Sequence, residues 1–574
     1  MKILLIQPSI RDFYQTSIRT QPIGLAYLAA SLKRNGYEVE ILDCQTETKK
    51  SIPIPGQLSY LKDFYPFNDR SPFKLYSGYY HFGMDWAEIR QKVEDSKADV
   101  FGISSSFTPY HGEALEIAQI IKEWDRRKIV VMGGAHVSCD PEGVLRGPFV
   151  DYVVLGEGEV RFSLLLEQLG KGKAGDIEKI EGIGYRKDGE IRITPLQSFI
   201  QDLDSLPNPA RELLDLDRYR MRKKRSTMII TSRGCPHKCA YCSAHLVMGT
   251  SFRTRTPEAI LKEMMDCQKQ YRIENFDIED DNFTFDQQRA KRLMNLIIEN
   301  FGEGKLELSA MNGISFASLD GGLLKSMKQA GFHTINLSYV SAEPSTKEKM
   351  GRPKTKMEFD KILEDAERVG LHVIAYAILG MPGQTTEEMV DTLIYLMGKK
   401  VLVGPSIYYP TPRTPLFEKC KKEGMLPPNS TQWRSSAFPI ETKEFDRVDL
   451  LTLFRLARVI NFIKGKMNEG KLQEGLTLKE LFQVLKDKSN VKGGSEINRY
   501  APCAMRYASF NKEDAATWVD LFLLLGSERS FFSLREDSGG RISIEKEKSS
   551  RKVLDYFFEK AWQGSILKSR SSVI

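Results

Sequence analysis

The chain has 574 residues, 41% hydrophobic and 28% charged, and its 83 basic residues against 76 acidic ones leave a net charge of only +7. This is globular composition with room for several cores; it excludes a disordered chain, and the charge is too small and too evenly spread to argue for a nucleic-acid partner. The opening MKILLIQPSI carries an apolar run of four residues, Ile3 to Ile6, too short for a signal peptide core or a membrane span, so a cytoplasmic protein without a span is expected.

Taken in chain order, residues 2 to 7 read as a buried strand. GLAYLAASLKRNG follows with Leu25, Leu28, Ala29 and Leu32 on one helical face and Gly36 as its stop. Strands are then expected at YEVEIL, DVFGIS (99 to 104), KIVVMGG (128 to 134) and DYVVLGEGE (151 to 159), with a helix facing Ile117, Ile120, Ile121 and Trp124 inward. Apolar runs alternating with amphipathic helices predict an α/β fold, a doubly wound parallel sheet whose ligands sit beyond the carboxyl ends of the strands. Small residues fall at those ends: Ser104, Ser105 and Ser106, then Thr108, Gly133 and Gly134, then Gly156, Glu157 and Gly158. Tight turns without a ligand explain such glycines as simply as a binding loop does, and no G-x-G-x-x-G opens the first helix, which argues against a dinucleotide. An insertion over 45 to 95 is dense in aromatics and reads either as a packed cluster under a long loop or as a cap over a planar or apolar substrate. The basic run Arg218, Arg220, Arg222, Lys223, Lys224 and Arg225 reads as a solvated linker or, alternatively, as a contact for phosphate.

After that linker six strands are expected, near 227 to 231, 274 to 279, 305 to 311, 334 to 340, 371 to 379 and 402 to 408, separated by five helices. This is three quarters of a TIM-type barrel, so a partial (β/α)6 barrel is predicted, with its active site at the strands' C-terminal ends. From about 440 the periodicity turns helical. The domains expected are 1 to 200, a linker at 201 to 225, a barrel at 226 to 425 and a mainly helical domain at 426 to 574.

Five of the eight cysteines, Cys44, Cys139, Cys267, Cys420 and Cys503, stand singly and form no disulfide framework. The other three lie together in TSRGCPHKCAYCSA, directly after the first barrel strand. Structural zinc is normally closed by four ligands, which His237 or His245 would have to complete. A 4Fe-4S cluster held by three thiolates instead leaves one iron open for a substrate or cofactor.

Cys235-x-x-x-Cys239-x-x-Cys242, with Tyr241 before the last cysteine, resembles the cluster motif of the radical S-adenosylmethionine superfamily. The resemblance implies that the three cysteines hold the cluster, that S-adenosylmethionine chelates its open iron, and that one-electron reduction yields a 5′-deoxyadenosyl radical. It implies further roles along the barrel. Asp280 and Asp281 in IEDDNFTFD would grip the methionine ammonium, although either acid also serves as a helix N-terminal charge. YVSAEPSTKEKMGRP resembles the family's Glu-Ser-Ala turn with Val340 in place of the glutamate, leaving Ser341 as a ribose candidate and Glu343 as a substitute. ILGMPGQTTEEM resembles the Gly-x-Pro-Gly turn, where Gly380 and Gly383 would approach adenine and Thr385 with Glu388 would form a capping box. YYPTPRTPL places Tyr408, Tyr409 and Arg413 at the mouth as catalytic candidates.

An open doubly wound domain ahead of such a barrel resembles the cobalamin-binding subclass, through QPIGLAYLAASLKRNGYEVEILD, GISSS, GGAHVS and LGEGE. No Asp-x-His-x-x-Gly is present, so the histidine that ligates cobalt from below in many carriers is missing; His136 reads as a loop residue or a corrin neighbour. The implied cofactors are a 4Fe-4S cluster, S-adenosylmethionine and cobalamin. The implied activity is methylation of an unactivated carbon through methylcobalamin, with a cyclisation or rearrangement as the alternative. A flavodoxin or ferredoxin is the implied electron donor, and the substrate stays open between a peptide or protein side chain, a lipid, a tetrapyrrole and a small metabolite. Cys503 in RYAPCAMRY reads as a packing cysteine.

Overall fold

The computed structural model describes all residues except 15–19, 172–173, 222, 353–355, 492–508, 511–517, 537–538, 540–541 and 568–574; Cys503 therefore lies outside the described residues.

The N-terminal unit is built on β1 (Lys2–Gln7), α1 (Ile23–Arg34), β2 (Glu38–Asp43), α2 (Trp86–Ser96), β3 (Val100–Ser104), α3 (His111–Trp124), β4 (Ile129–Gly133), β5 (Tyr152–Val154), α4 (Gly158–Gly170), β6 (Ile183–Lys187) and β7 (Glu190–Ile193). The sheet runs β7-β6-β5-β4-β3-β1-β2. Its five parallel strands thus have the order 2-1-3-4-5, with Ile3 opposite Val39 on one side and Val100 on the other. The strand order reverses between β1 and β3, which opens a crevice at their carboxyl ends. Helices cover both faces, so β1 is apolar on both, with Ile3, Leu5 and Ile6 fully buried. An antiparallel pair, β6 and β7, closes the far edge.

The aromatic insertion is shorter than the sequence implies, because residues 86 to 96 form α2 and pack on α3. What remains includes two short strands, Lys49–Ser51 and Tyr80–Phe82, and the second of them also pairs antiparallel with Ile10–Asp12. Its rings join the main core rather than a satellite. Tyr65 lies 6.3 Å from Phe438 and Phe73 lies 5.4 Å from Phe462, so the insertion is stitched to the C-terminal region.

The second unit begins with β8 (Lys224–Ile229), inside the expected basic linker, where Arg225 and Arg220 pair with Asp217. It continues through α5 (Pro257–Tyr271), β9 (Asn275–Ile278), α6 (Gln287–Phe301), β10 (Glu307–Ser309), α7 (Gly321–Ala330), β11 (Thr334–Val340), α8 (Pro344–Lys349), α9 (Lys356–Arg368), β12 (His372–Leu379), α10 (Thr386–Met397) and β13 (Leu402–Ile407). Six parallel strands form two halves, β8-β9-β10 and β11-β12-β13, linked by bridges from Leu308 to Phe332 and from Ile314 to Leu337. This is the partial barrel. Thr256 and Asp286 cap α5 and α6 through their side chains, which fixes where strand ends give way to helix. Thr385 caps α10 by accepting from Glu388 N–H, but the Glu388 carboxylate turns to Ser341 instead of completing a box.

The C-terminal region is α11 (Arg447–Asn468), α12 (Leu478–Val491), α13 (Trp518–Glu528) and α14 (Arg551–Ala561), together with a strand pair, Phe532–Glu536 and Ile542–Lys546, that the helical periodicity hides. Among the described residues no helix is long and apolar enough to cross a membrane.

Candidate active site

Beyond β8 the chain forms a two-residue ribbon, Ser232–Arg233 against Arg253–Thr254, and the cysteine loop is the excursion between them. Asp280 is the latch of that ribbon. At 3% exposure, it accepts Thr231 N–H (2.7 Å), Thr231 Oγ1 (2.5 Å) and Ser232 Oγ (2.6 Å). Its carboxylate is spent on the loop, so the ammonium role given to it by resemblance does not fit; Asp281 fits better. Asp281 is exposed to the opening, accepts Gly234 N–H at 3.1 Å and lies close enough to Cys235 and Cys242 to raise both thiols.

The thiols are sheltered. Burial pushes the Cys242 thiol up to about 11 and raises Cys235 also. Each sulfur nevertheless has a donor: Arg352 Nε reaches Cys239 Sγ at 3.2 Å, Ala244 N–H reaches Cys242 Sγ at 3.5 Å, and Asn282 Nδ2 stands 3.9 Å from Cys235 Sγ. Donors that favour thiolates in a dry loop are the environment an iron-sulfur cluster needs. Among the described residues, no three His, Cys, Asp or Glu side chains converge as a single ion would require; in a cubane each thiolate takes its own iron.

The remaining barrel candidates divide. Tyr409 packs beside Cys242, and Arg413 is exposed on a left-handed residue (φ 63°) near Cys139. Tyr241 sits against Cys239 and Arg352. Tyr408 is not at the mouth: it is buried against Cys420, below the strand end. Ser341 is fully buried and donates to Glu388 (2.9 Å), while Glu343 caps α8, so neither side chain is offered to a ribose. Val340, where the family carries glutamate, adopts φ 71° at a register shift in β11, a strained conformation for a β-branched residue. At Gly380 an added Cβ would lie 2.9 Å from Leu450 of α11, so this glycine admits the C-terminal helix rather than adenine. At Gly383 (φ 97°) an added Cβ would meet only the flexible end of Lys419, at 3.8 Å, so this glycine stays available.

On the other side of the opening, the switch-point crevice of the N-terminal sheet forms a cavity of about 400 Å³. Ser104, Ser105, Gly133, Gly134, Gly156, Glu157 and Gly158 line it, and so do Met228, Ile230 and Glu279 from the barrel. Gly134 has φ 111°, and a Cβ there would meet the Ser105 carbonyl group at 2.8 Å, so only glycine lets these two loops touch. Thr108 is not a lining residue: its hydroxyl bonds His136 Nδ1 at 3.0 Å, and Ser105 bonds His111 in the same way. His136 is thus a loop-building residue. Burial pushes His111 down to about 3 and His136 down to about 4, which keeps both imidazoles neutral.

Two profiles fall on these two units. The Radical SAM superfamily matches residues 229–396, and the B12 binding domain matches residues 78–166. The chain carries the two domains found together in cobalamin-dependent radical S-adenosylmethionine enzymes. The enzyme is 28% identical over 476 residues to an uncharacterised methyltransferase of Pyrococcus horikoshii, covering 81% of this chain and 94% of that one. It is 27% identical over 474 residues to the cytidylyl-2-hydroxyethylphosphonate methyltransferase of Streptomyces wedmorensis, covering 75% and 84%. Its fold matches that of the radical S-adenosylmethionine methyltransferase TsrM of Kitasatospora setae, which carries cobalamin and a [4Fe-4S] cluster, with a TM-score of 0.57 at 19% identity over 74% of this chain and 78% of the other. The two domains imply a 4Fe-4S cluster, S-adenosylmethionine and cobalamin as cofactors. The thiol loop with its donors and the glycine-walled crevice both suit these groups.

Sequence reasoning missed Glu159 and the arginines that join the two cofactor seats, and it placed Glu157 only as a ligand-loop residue. Glu157 is 2% exposed and accepts Arg233 Nη1 at 2.8 Å, Arg253 Nη1 at 2.9 Å and Ile200 N–H at 2.7 Å. Glu159 takes the other arm of Arg233 at 2.7 Å. The Glu157 carboxylate therefore clamps the crevice loop to the root of the cysteine loop. Cys139, a lone cysteine in the sequence, comes to rest against Ser243.

Proposed function

We propose that the enzyme methylates an unactivated carbon of a polar substrate held between the thiol loop and the N-terminal crevice. The observation that carries this reading is the shared cavity, walled by Ser104, Gly133 and Gly134 on one side and by Met228, Ile230 and Glu279 on the other. When bound, the cluster with S-adenosylmethionine supplies a radical that removes hydrogen, and the corrinoid supplies the methyl group.

The chain's own residues bind, orient and keep the space dry. Cys235, Cys239 and Cys242 would hold the cluster, Asp281 would serve the methionine ammonium, and Gly383 would leave room for the adenosine. Tyr409 stands near Cys242 and Arg413 near Cys139. Strand register fixes what a substrate meets deeper in the barrel. Asp277 pairs with Met228 and Ser309, and Ser338 pairs with Tyr376, so these side chains share the inner face with Ile230 and Glu279. Ser309 Oγ donates to Asp277 (2.7 Å) and Asn312 Nδ2 to Glu279 (2.6 Å). A hydrogen-bonding substrate suits such a wall, whereas a hydrocarbon would strip water from these polar groups and add no partner. Cyclisation with the same cofactors is the weaker reading, since the two relatives matched along most of their length are both methyltransferases. A low-potential flavodoxin or ferredoxin would deliver the electron.

The test is anaerobic incubation of the reduced, reconstituted enzyme with methyl-labelled S-adenosylmethionine and an extract of polar metabolites. Release of 5′-deoxyadenosine and S-adenosylhomocysteine together with a labelled polar product supports the proposal. Cleavage to 5′-deoxyadenosine with no label in any product favours rearrangement.

A further inference from the structure

The arginine of the MGRP stretch, the donor to Cys239 described above, reaches a cluster thiol from a separate turn of the barrel. After α8 the chain turns through Gly351 (φ 73°), where a Cβ would stand 3.3 Å from the Lys238 carbonyl oxygen and 3.7 Å from Cys239 Cα. The turn is therefore seated directly on the backbone of the cysteine loop. Arg352 N–H closes it by donating to the Lys347 carbonyl at 2.6 Å. This aims the guanidinium at the loop: Nε donates to Cys239 Sγ at 3.2 Å, and the same group bonds the Tyr241 hydroxyl. The groups that hold this charge are a thiol and a phenol, not a carboxylate.

We infer that Arg352 sets the reduction potential of the cluster, as a positioning residue that keeps a permanent positive charge and a hydrogen bond on the Cys239 sulfur. The inference rests on the cluster occupying this loop. Reduction adds one electron from the external donor to the cluster and so adds negative charge to its sulfurs. A cation and an N–H donor stabilise that form more than the oxidised one, which raises the potential. Guanidinium suits the task because it stays charged at every working pH and holds its N–H groups in a rigid fork.

The experiment is an EPR-monitored redox titration of reconstituted, full-length protein without substrate, comparing wild type, Arg352→Lys and Arg352→Gln, with iron and sulfide counted in each. At the poise that half-reduces wild type, the reduced-to-oxidised ratio should fall about tenfold in Arg352→Gln, equivalent to about 59 mV for one electron, with Arg352→Lys in between. Equal potentials in loaded wild type and loaded Arg352→Gln overturn the inference. Should the glutamine variant fail to hold iron, wild type grown on 15N-arginine decides the matter. A weakly coupled arginine nitrogen in the pulsed EPR spectrum of the reduced cluster, lost in Arg352→Lys, supports the inference; no such coupling in wild type overturns it. Failure of wild type itself to bind iron would strike at the cluster assignment instead, which separates the two claims.

Discussion

Replacing Glu157 with alanine removes the carboxylate that both Arg233 and Arg253 hydrogen-bond, and leaves these two buried arginines with one ion pair, Arg233 to Glu159. The wild-type set is balanced, two positive against two negative, with Arg233, Arg253 and Glu157 all at or below 6% side-chain exposure. Deleting one partner of a buried pair costs about 3–5 kcal/mol, because the remaining charge keeps its desolvation penalty without its counterion. Ile200 N–H loses its acceptor as well, a cost that overlaps the first rather than adding to it. The chain has several units, so a single melting temperature is a poor measure. Native-state hydrogen exchange of peptides covering 156–159 and 232–254 reads the local loss, and those amides should exchange about 10²- to 10³-fold faster, at 1.4 kcal/mol per factor of ten. Glu157→Met combined with Arg253→Met should recover much of that protection, since apolar groups of similar volume replace buried pairs with little loss. A change below about threefold in the single variant, or no recovery in the double one, would refute the claim that this clamp holds the two loops together.

Gly134→Ala should lower corrinoid uptake, read from absorbance after reconstitution, while Gly36→Ala, which meets nothing within 4 Å, serves as the strained but remote control. Asp280→Ala should abolish iron loading by freeing the ribbon. Asp281→Asn should load iron normally yet weaken S-adenosylmethionine in equilibrium binding about tenfold, the usual scale of a lost charge-assisted contact. Burial first, then repulsion from Asp277, pushes Glu279 up to about 8. A raised carboxyl leaves stability intact below its unfolded value near 4.5 and erodes it as pH climbs to 8. Glu279→Gln should therefore gain thermal stability over wild type between pH 5 and pH 8, and an equal difference at both pH values would contradict the assignment.

The fold was largely legible because its signals are local. Both sheets alternate apolar runs with amphipathic helices, and the thiol spacing 235, 239 and 242 is contiguous. The division of labour between adjacent acids was not legible, because Asp280 and Asp281 differ only in which way the strand end turns them. The exclusion of Tyr408, Ser341 and Gly380 depended likewise on partners far along the chain, Cys420, Glu388 and Leu450. The glutamates of LGEGE looked like ligand-loop residues, and their arginine partners lie 76 and 96 positions away. A motif names the chemistry of a loop; it does not say which of its side chains the rest of the fold has already claimed.

Arg233 is two residues from Cys235, and Glu157 is the neighbour of cavity-lining Gly156. The separation of a cluster and a corrinoid held there would be set by a few covalent bonds and one charge cluster. A substrate that needs more room must gain it from the barrel mouth or the aromatic insertion, so changes in specificity should accumulate there while the gap between the cofactors stays constant.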